Sequence, residues 1–276
     1  MILNKKEIKR LSKIYNLGKI EEISLLKGGN INNNILKVLI IKFLILSRIT
    51  PKYLESKKFE FKILDFLKIN NFSYEIPSPI RNYRDDILTK VKNKYIWIYK
   101  KIKGETIHKP KNNQIKEIAK ALAVYPKIIE KFERRGVKRV KTHWLLKKYK
   151  IMRKTITKKQ IDILMLENIS FFEYLLKNLL KINLKGKFIP IHADFHGGNL
   201  LFEKNKLTGI IDFDNLKWAT KSQDLACSIR NVCVTNNIPD NKKISLFLKE
   251  YNKFNKLSKE EKSSIFAMMV RNYCIL

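Results

Sequence analysis

Three oxygen-bearing side chains lie close together in the second half of the chain. Asp194 and Asn199 belong to one polar loop, and Asp212 follows the next apolar run. Carboxylate and amide oxygens are the ligands that hard divalent cations such as Mg2+ prefer. In phosphoryl transfer the metal neutralises charge on the phosphate oxygens, while an uncoordinated carboxylate positions the acceptor hydroxyl and takes its proton. The three residues therefore suit magnesium-dependent phosphoryl transfer, with Asp194 as that carboxylate.

Two histidines in the same loop leave a second chemistry open. His192 and His196 flank Asp194, so a metal-hydrolase site is an alternative. Such a site usually needs further metal-binding histidines, and the chain has only His108 and His143 left to supply them. We therefore favour phosphoryl transfer.

The polar loop must be held by the elements around it, and the first part of the chain predicts a β-rich unit. Period-two patterning predicts strands over residues 20–26, 31–38, 39–46, 87–91 and 95–99. Helical spacing predicts one helix over 1–18 and another over 53–69, the second with Phe59, Ile63, Phe66 and Leu67 on its apolar face.

The second part of the chain is mainly helical. Helical spacing starts at Asn113, with Pro126 expected to interrupt that helix, and the longest helical region covers 158–182, with Phe171 on its core face. Ser258 and Glu261 predict a capping box at the start of the last helix. Short strands over 188–191, 200–202 and 207–213 flank the polar loop. We therefore predict an α+β fold with two lobes, residues 1–102 and residues 103–276.

Composition excludes several classes of protein. The chain has 276 residues, of which 45% are hydrophobic, too many for a charge-driven disordered chain. Its 3 cysteines are odd in number and form no Cys-x-x-Cys, so a disulfide scaffold and a thiolate zinc site are not expected. The amino terminus lacks the apolar core of a signal peptide, and the longest apolar stretch is interrupted by lysines. We expect a cytoplasmic protein that does not insert into membranes.

The net charge of +33 has two interpretations. A surface this positive attracts nucleic acid or anionic lipid through Coulomb attraction and counterion release. The lysines are nevertheless spread along the whole chain, and the densest basic runs carry no RNA-binding or zinc-finger signature. We therefore favour the interpretation that the charge reflects composition, and nucleic acid is the less favoured partner.

The spacing of the polar loop is typical of one family. His192-x-Asp194-x-x-x-x-Asn199, followed by Asp212, resembles the catalytic loop and metal-binding segment of aminoglycoside phosphotransferases and choline kinase-like enzymes, and Asp224-Leu225-Ala226 matches the usual continuation. The resemblance implies a bilobal protein-kinase-like fold, with a small β-rich amino-terminal lobe and a larger, mainly helical carboxyl-terminal lobe. It further implies Asp194 as the catalytic base, His192 as a brace of the loop, Asn199 and Asp212 as Mg2+ ligands, and Asp214 and Asp224 as supporting residues.

The same resemblance implies an ATP site in the amino-terminal lobe. Its phosphate-binding turn would include Gly28, Gly29 and Asn30, although a Gly-Gly turn is also a common hairpin turn. Lys42 would contact phosphate, although strand alternation could equally point it into water. Glu60 would pair with that lysine, with Glu55 as the second choice. The hinge that binds adenine would include Tyr99 and Ile102.

The family fixes the reaction class better than the acceptor. Asp+Glu is only 25, which argues against a cationic aminoglycoside, and the turn and closing helix are similar to those of homoserine kinase-like members. We predict an ATP-dependent and Mg2+-dependent phosphotransferase acting on a hydroxyl of homoserine, an amino alcohol or a sugar-like metabolite. The alternative is an inactive kinase-like basic protein that binds nucleic acid or an anionic surface.

Overall fold

The computed structural model describes residues 3–18, 20, 22–25, 36–39, 44–133, 151, 168–171, 173–175, 177–178, 186–236 and 238–273. The chain forms two compact units. The first comprises Met1–Ile107 together with Asn199–Asp214, and the second comprises His108–Gly198 together with Asn215–Leu276. Helices and small antiparallel sheets occur together, so the predicted α+β class is confirmed. The predicted lobes, 1–102 and 103–276, stay a prediction, and the first compact unit differs from the first lobe by including residues 199–214.

A five-stranded antiparallel sheet forms the centre of the first unit. Its spatial order is β1-β2-β3-β5-β4. The strands are β1 (Glu22–Leu25), β2 (Leu36–Leu39), β3 (Leu44–Ile49), β4 (Thr89–Val91) and β5 (Lys94–Lys100). Each predicted strand overlaps a strand of this sheet, but β3 continues past the predicted end at 46 to Ile49, and β5 extends beyond the predicted 95–99 at both ends.

Helix α1 (Lys5–Ile14) covers part of this sheet. It begins with a reciprocal capping box, in which the Asn4 side chain accepts from the Glu7 amide and the Glu7 side chain accepts from the Asn4 amide, each at 2.9 Å. Its apolar face buries Leu11 against residues of β3 and β5, including Leu46 and Ile98. The predicted first helix is thus present, and it starts where the cap satisfies the free amides.

Helix α2 (Leu54–Ile69) follows a short 3-10 turn and buries a different face from the predicted one. Ile63 and Leu67 are fully buried, as expected, but Phe59 and Phe66 are only partly buried. Lys57 and Glu60 are buried instead. The periodicity of apolar residues could not predict this, because two charged side chains that neutralise each other can occupy an interior face.

A hairpin from the second half of the sequence completes the first unit. Strands β7 (Leu200–Glu203) and β8 (Lys206–Ile210) form this hairpin, whereas strand β6 (Phe188–Ile191), which precedes them in the chain, belongs to the second unit. The amide of Ile210 donates to the carbonyl of Glu75, and the Glu75 amide donates to Thr208, both at 2.9 Å. A Cβ on Gly209 would lie 2.5 Å from the Ile102 side chain, so only glycine allows this close approach.

The second unit is mainly helical. Among the described residues, it contains the helices α3 (Asn112–Ile129), α4 (Lys221–Cys233), α5 (Asn241–Phe254) and α6 (Lys259–Tyr273), and the strands β6, β9 (Lys217–Thr220), β10 (Val234–Thr235) and β11 (Ile238–Pro239). Strand β6 pairs with β9 antiparallel, α3 packs on α5, and α4 packs on α6. The predicted capping box is confirmed, because the Ser258 amide donates to Glu261 at 2.9 Å and the Glu261 amide donates to Ser258 at 3.2 Å.

Two helix predictions in this unit need correction. Pro126 does not interrupt α3, which continues to Ile129. Proline removes only one backbone hydrogen bond, and Pro126 is buried beside Tyr125, whose hydroxyl donates to the Pro190 carbonyl at 3.0 Å. The predicted helix over 158–182 is described only at residues 168–171, 173–175 and 177–178, which are all helical, but Phe171, expected in the core, is 57% exposed. Within the described ranges, no helix is long and apolar enough to cross a membrane.

Candidate active site

The loop that follows β6 is held by a buried carboxylate from α4. The amide of His192 donates to Asp224 Oδ2 at 3.1 Å, and the amide of Ala193 donates to Asp224 Oδ1 at 2.9 Å. Ala193 has a φ of +64°, in the left-handed region that costs free energy for a residue with a Cβ. The two hydrogen bonds therefore hold the loop in a conformation that it would not adopt alone.

Complete burial also affects the acid that holds the loop. Desolvation raises the pKa of Asp224 to about 6, although the amides of Ala193 and His192 and the charge of Lys217 act in the opposite direction. At neutral pH the carboxylate is ionised and both of its oxygens accept hydrogen bonds. The predicted supporting position of Asp224 thus has a geometric basis.

Asp194 projects from this loop with about 30% of its side chain exposed. Its burial alone would raise the pKa, but the hydrogen bond and charge of His196, the charge of His192 and a hydrogen bond from Asn215 together lower it. Asn215 Nδ2 donates to Asp194 Oδ2 at 3.1 Å. Asp194 is therefore an ionised, accessible carboxylate, as a residue that accepts a proton from a hydroxyl must be.

The two loop histidines have different positions. His192 is fully buried, and its Nδ1 accepts from the Asp194 amide at 3.3 Å, which agrees with the predicted bracing of the loop. His196 Nδ1 accepts from the Gly198 amide at 3.1 Å, while its Nε2 lies 3.4 Å from Asp194 Oδ1. This arrangement assigns the proton of a neutral His196 to Nε2, facing Asp194. A Cβ on Gly198 would lie 2.8 Å from the His196 ring, so glycine makes room for that ring.

Asn199 and Asp212 lie at the open end of the β7–β8 hairpin. Leu200 pairs with Ile210, and the Ile211 amide donates to the Asn199 carbonyl at 2.9 Å, so the hairpin register brings the two predicted metal ligands to the same end. Asn199 is buried and Asp212 is exposed. Asp212 has a φ of +63°, a second left-handed residue that is not glycine. Asn199 and Asp212 belong to the first unit, and Asp194 belongs to the second.

Asn199 and Asp212 carry side-chain oxygens of the kind that bind Mg2+. Within the described ranges, no group of three or more histidine, cysteine, aspartate or glutamate side chains is placed to hold a metal ion. A magnesium ion bound with a nucleotide does not need such a group, because one or two protein oxygens suffice when phosphates and water supply the others. One carboxylate and one amide at the same hairpin end are that kind of ligand set.

Next to this hairpin, α2 supplies a buried ion-pair cluster. Lys57 Nζ lies 2.6 Å from Glu60 Oε2 and also contacts Asp214 Oδ1. Desolvation and the nearby Asp214 raise the pKa of Glu60 to about 8, although Lys57 opposes the shift. Burial acts to lower the pKa of Lys57, but the two carboxyl groups outweigh it and raise that pKa. Lys57 therefore stays protonated between them. The predicted pairing of Glu60 with Lys42 stays a prediction, because Lys42 lies outside the described residues.

The two predicted hinge residues lie on β5 and just after it. Tyr99 stacks on Trp97, with ring centroids 4.5 Å apart, and burial together with Glu60, Asp212 and Asp214 raises the pKa of its hydroxyl. Ile102 is buried against Gly209 of the hairpin. It also borders a cavity of about 500 Å3 between the end of α2 and the segment after it. Whether these residues bind a nucleotide stays a prediction.

Four predicted nucleotide-binding residues lie outside the described residues. They are Gly28, Gly29, Asn30 and Lys42. The second choice for the helix glutamate, Glu55, is described and is 84% exposed, paired with Lys58 at 2.8 Å. Of the two glutamates, Glu60 is buried and Glu55 is exposed, and the choice between them as the partner of Lys42 stays a prediction.

Sequence reasoning did not assign roles to Lys57 and Asn215, and it considered His196 only as part of the alternative metal-hydrolase site. Lys57 lies three positions before Glu60, the spacing of an ion pair on one helix face, and that signal was available in the sequence. His196 lies two positions after Asp194 in a polar loop. The contact of Asn215 with Asp194 has no local signal, because the two residues are 21 positions apart and meet only when the segment before β9 lies beside the loop.

The sequence of the chain matches a model of a known protein family. The model described as "Phosphotransferase enzyme family" matches residues 22–243. That range includes the loop of Asp194, the β7–β8 hairpin and Asp224. A search of curated proteins finds no match to the chain.

Solved structures agree with the chain in fold. A spectinomycin phosphotransferase, APH(9)-Ia, in complex with ADP and spectinomycin superposes with a TM-score of 0.74 at 18% identity, covering 99% of this chain and 87% of that one. An amicoumacin kinase in complex with AMP-PNP, Ca2+ and its antibiotic gives 0.73 at 16% identity, covering 99% and 85%. A microcompartment-associated aminopropanol kinase gives 0.69 at 14% identity, covering 96% and 86%. The predicted protein-kinase-like fold and the predicted resemblance are therefore confirmed.

Proposed function

The chain belongs to the phosphotransferase enzyme family, and from that premise we propose that it transfers the γ-phosphate of ATP to a hydroxyl group of a small metabolite. The observation that carries the proposal is the state of Asp194. Its carboxylate is accessible, its pKa is lowered by its neighbours, and it lies on a loop that Asp224 holds by two backbone hydrogen bonds. This is the side chain that phosphoryl transfer to a hydroxyl requires.

Asp194 acts on the acceptor in this proposal. Its Oδ1 and Oδ2 are oriented by His196 and Asn215, so the carboxylate is directed without conformational search when a hydroxyl binds. It accepts a hydrogen bond from that hydroxyl and takes its proton as the oxygen attacks the γ-phosphorus. The bond from phosphorus to the bridging oxygen of ADP breaks as the new phosphate ester forms.

Asn199 and Asp212 hold the magnesium nucleotide in this proposal. The ion, when bound, neutralises the negative charge on the phosphate oxygens. The buried Asn199 amide and the exposed Asp212 carboxylate lie at one end of a hairpin whose register is fixed by backbone hydrogen bonds. The solved structures of similar fold that contain AMP-PNP or ADP support the choice of an adenine nucleotide. Tyr99 and Ile102 remain the proposed hinge, and Gly28, Gly29, Asn30, Lys42 and Glu60 remain proposed nucleotide-site residues.

For the acceptor we propose homoserine, an amino alcohol or a sugar-like hydroxyl compound. Cationic antibiotics are usually bound by clusters of carboxylates, and Asp+Glu is only 25 in the whole chain against 58 Lys+Arg. An aminopropanol kinase is among the structures of similar fold, which supports an amino alcohol.

A direct assay of phosphoryl transfer tests this proposal. Purified protein is incubated with γ-labelled ATP and a panel of amino alcohols, hydroxy amino acids, sugars and aminoglycosides, with Mg2+ or with excess EDTA. We expect a labelled phosphate ester from one class of hydroxyl compound, formed only with Mg2+ and lost in Asp194→Asn. If no acceptor is phosphorylated and the protein instead binds RNA or anionic vesicles in a salt-dependent manner, the inactive basic protein becomes the better assignment.

A further inference from the structure

A lysine on α2 has a buried position between two acids of different elements. Only 5% of the Lys57 side chain is exposed. Its ammonium group contacts Glu60 on the same helix and Asp214 beyond the hairpin, and it lies 5.4 Å from the centre of the Trp97 ring. These groups all belong to the first unit.

The contacts of Lys57 with the two acids matter for stability, because burying an ammonium group costs free energy. An unpaired charge in the interior loses its hydration, whereas a charge that is paired and hydrogen-bonded recovers much of that loss. Removing one partner leaves the other charges buried without compensation. The segment that carries Asp214 is therefore tied to α2 by a contact that cannot easily be exchanged for water.

The tied segment contains Asp212, the proposed magnesium ligand. On its amino-terminal side, the Ile211 amide is bonded to the Asn199 carbonyl at 2.9 Å. On its carboxyl-terminal side, Phe213 is buried and Asp214 contacts Lys57. Asp212 lies between these anchors with a φ of +63°. A left-handed conformation of a residue other than glycine persists where the surroundings determine it, and here the surroundings are an anchor on each side.

We propose that Lys57 is a positioning residue for nucleotide binding: by bridging Glu60 and Asp214, it holds the segment 211–214 so that the Asp212 carboxylate faces the metal of a magnesium nucleotide. This inference rests on the proposed function. Lys57 touches neither nucleotide nor acceptor in this account, and it acts through Asp214. Its effect is therefore expected on the contribution of the metal to nucleotide binding.

Two variants of Lys57 and one neighbour test the proposal. Lys57→Met keeps the length of the side chain and removes its charge, while Lys57→Arg keeps the charge. Lys58→Met is the matched control, because Lys58 is the next residue on the helix, is 53% exposed and pairs only across the surface with Glu55. For each protein, calorimetry measures the affinity for ADP with Mg2+ and with excess EDTA, and hydrogen-deuterium exchange follows the peptide that contains residues 211–214.

We expect Lys57→Met to weaken binding of magnesium ADP by about 10-fold to 100-fold, the usual effect of losing a group that orients a metal ligand. Binding of ADP in EDTA should change much less, and exchange of the 211–214 peptide should accelerate. Lys57→Arg should restore most of both properties, and Lys58→Met should resemble the wild type. A purely structural role of Lys57 would weaken both forms of ADP binding equally, and that result, or unchanged binding, would overturn the proposal.

The experiment separates this inference from the proposed function. If the wild type binds magnesium ADP and Lys57→Met binds it equally well, the proposed function stands and the role of Lys57 is refuted. If the wild type binds no nucleotide, the proposed function fails and the metal-orienting role fails with it. In that case the exchange data still decide whether Lys57 holds the segment, since faster exchange in Lys57→Met than in Lys58→Met supports the contact and equal exchange refutes it.

Discussion

Asp194 and Glu60 are two carboxyl groups whose surroundings have opposite effects on their ionisation. Asp194, in the second unit, is partly exposed, and hydrogen bonds and charge from His196, His192 and Asn215 lower its pKa against the effect of burial. Glu60, in the first unit, is fully buried beside Asp214, and its pKa rises to about 8 although Lys57 is in contact. A neighbouring cation therefore does not by itself lower the pKa of an acid, because the completeness of burial and the presence of a second acid also matter.

The groups that hold these two acids in place also differ. In the second unit, the Asp224 carboxylate accepts from two backbone amides, which cannot be changed by mutation of a side chain. In the first unit, the Lys57 side chain makes the connection between Glu60 and Asp214. We therefore expect the loop of the second unit to be most sensitive to substitution of its acids, and the contact between Glu60 and Asp214 in the first unit to be most sensitive to substitution of Lys57. Four predictions test this contrast.

The largest effect is expected for Asp194→Asn. The amide cannot take a proton from the acceptor, so turnover should fall by about a hundredfold to ten-thousandfold, the usual contribution of a general base. Urea unfolding should be almost unchanged, because this side chain is partly exposed. A coupled assay of ADP release measures turnover. Asp85→Asn, on an acid with 84% exposure, is the matched control and should retain wild-type turnover. Full activity of Asp194→Asn would refute the assignment of the base.

The next largest effect is expected for Asp224→Asn. The variant has one acceptor oxygen for two backbone donors, and its amide group faces the second donor. Leaving a buried donor without a partner should cost about 1 to 3 kcal/mol of unfolding free energy. Turnover should fall as well, because Asp194 lies on the loop that Asp224 holds. Urea unfolding and the ADP assay measure both effects. Loss of turnover without loss of stability would contradict the supporting role.

The third prediction concerns the pH dependence of stability. The folded protein raises the pKa of Glu60 from 4.5 to about 8 and that of Asp224 from 3.8 to about 6, so both acids bind a proton more tightly when folded. Their contributions favour folding at low pH and are lost as the pH rises, for Asp224 by about pH 6 and for Glu60 by about pH 8. Glu60→Gln should therefore reduce the loss of stability between about pH 4.5 and pH 8, and between pH 6 and pH 8 the Asp224 contribution no longer overlaps with it.

Urea unfolding at several pH values between 4 and 9 measures these two windows. Glu55→Gln is the matched control, because Glu55 is an acid on the same helix that is exposed to water in the folded protein. An identical profile for Glu60→Gln and the wild type would show that Glu60 is ionised in the folded state, paired with Lys57.

The smallest effects are expected from the two side chains that orient Asp194. His196 and Asn215 both lower the pKa of Asp194, with His196 the stronger of the two. Removing either partner raises that pKa, so the protonated and inactive form of Asp194 persists to higher pH. The acid limb of the pH–rate profile should therefore shift upward in His196→Ala and shift less in Asn215→Ala. A reversed order, or a shift to lower pH, would contradict the electrostatic account.

Much of the fold and of the second-unit loop could be predicted from local sequence. The strands near the polar loop, the capping box at Ser258 and the presence of α2 all follow from periodicity and residue type over a few positions. The buried face of α2 could not be predicted in the same way. Lys57 and Glu60 are polar by type, so a pattern of apolar residues assigns them to water, whereas in the folded protein Lys57 is buried in contact with both Glu60 and Asp214.

The sequence by itself determined the family and the types of side chain available for chemistry, because His192, Asp194, Asn199 and Asp212 are defined by their spacing along the chain. Only the tertiary structure decided which acids are ionised and what holds them. Asp214 meets Lys57 across a separation of 157 positions, and Asp224 meets His192 across 32. Desolvation and ion pairing depend on neighbours in space, and for these residues the neighbours come from distant parts of the chain.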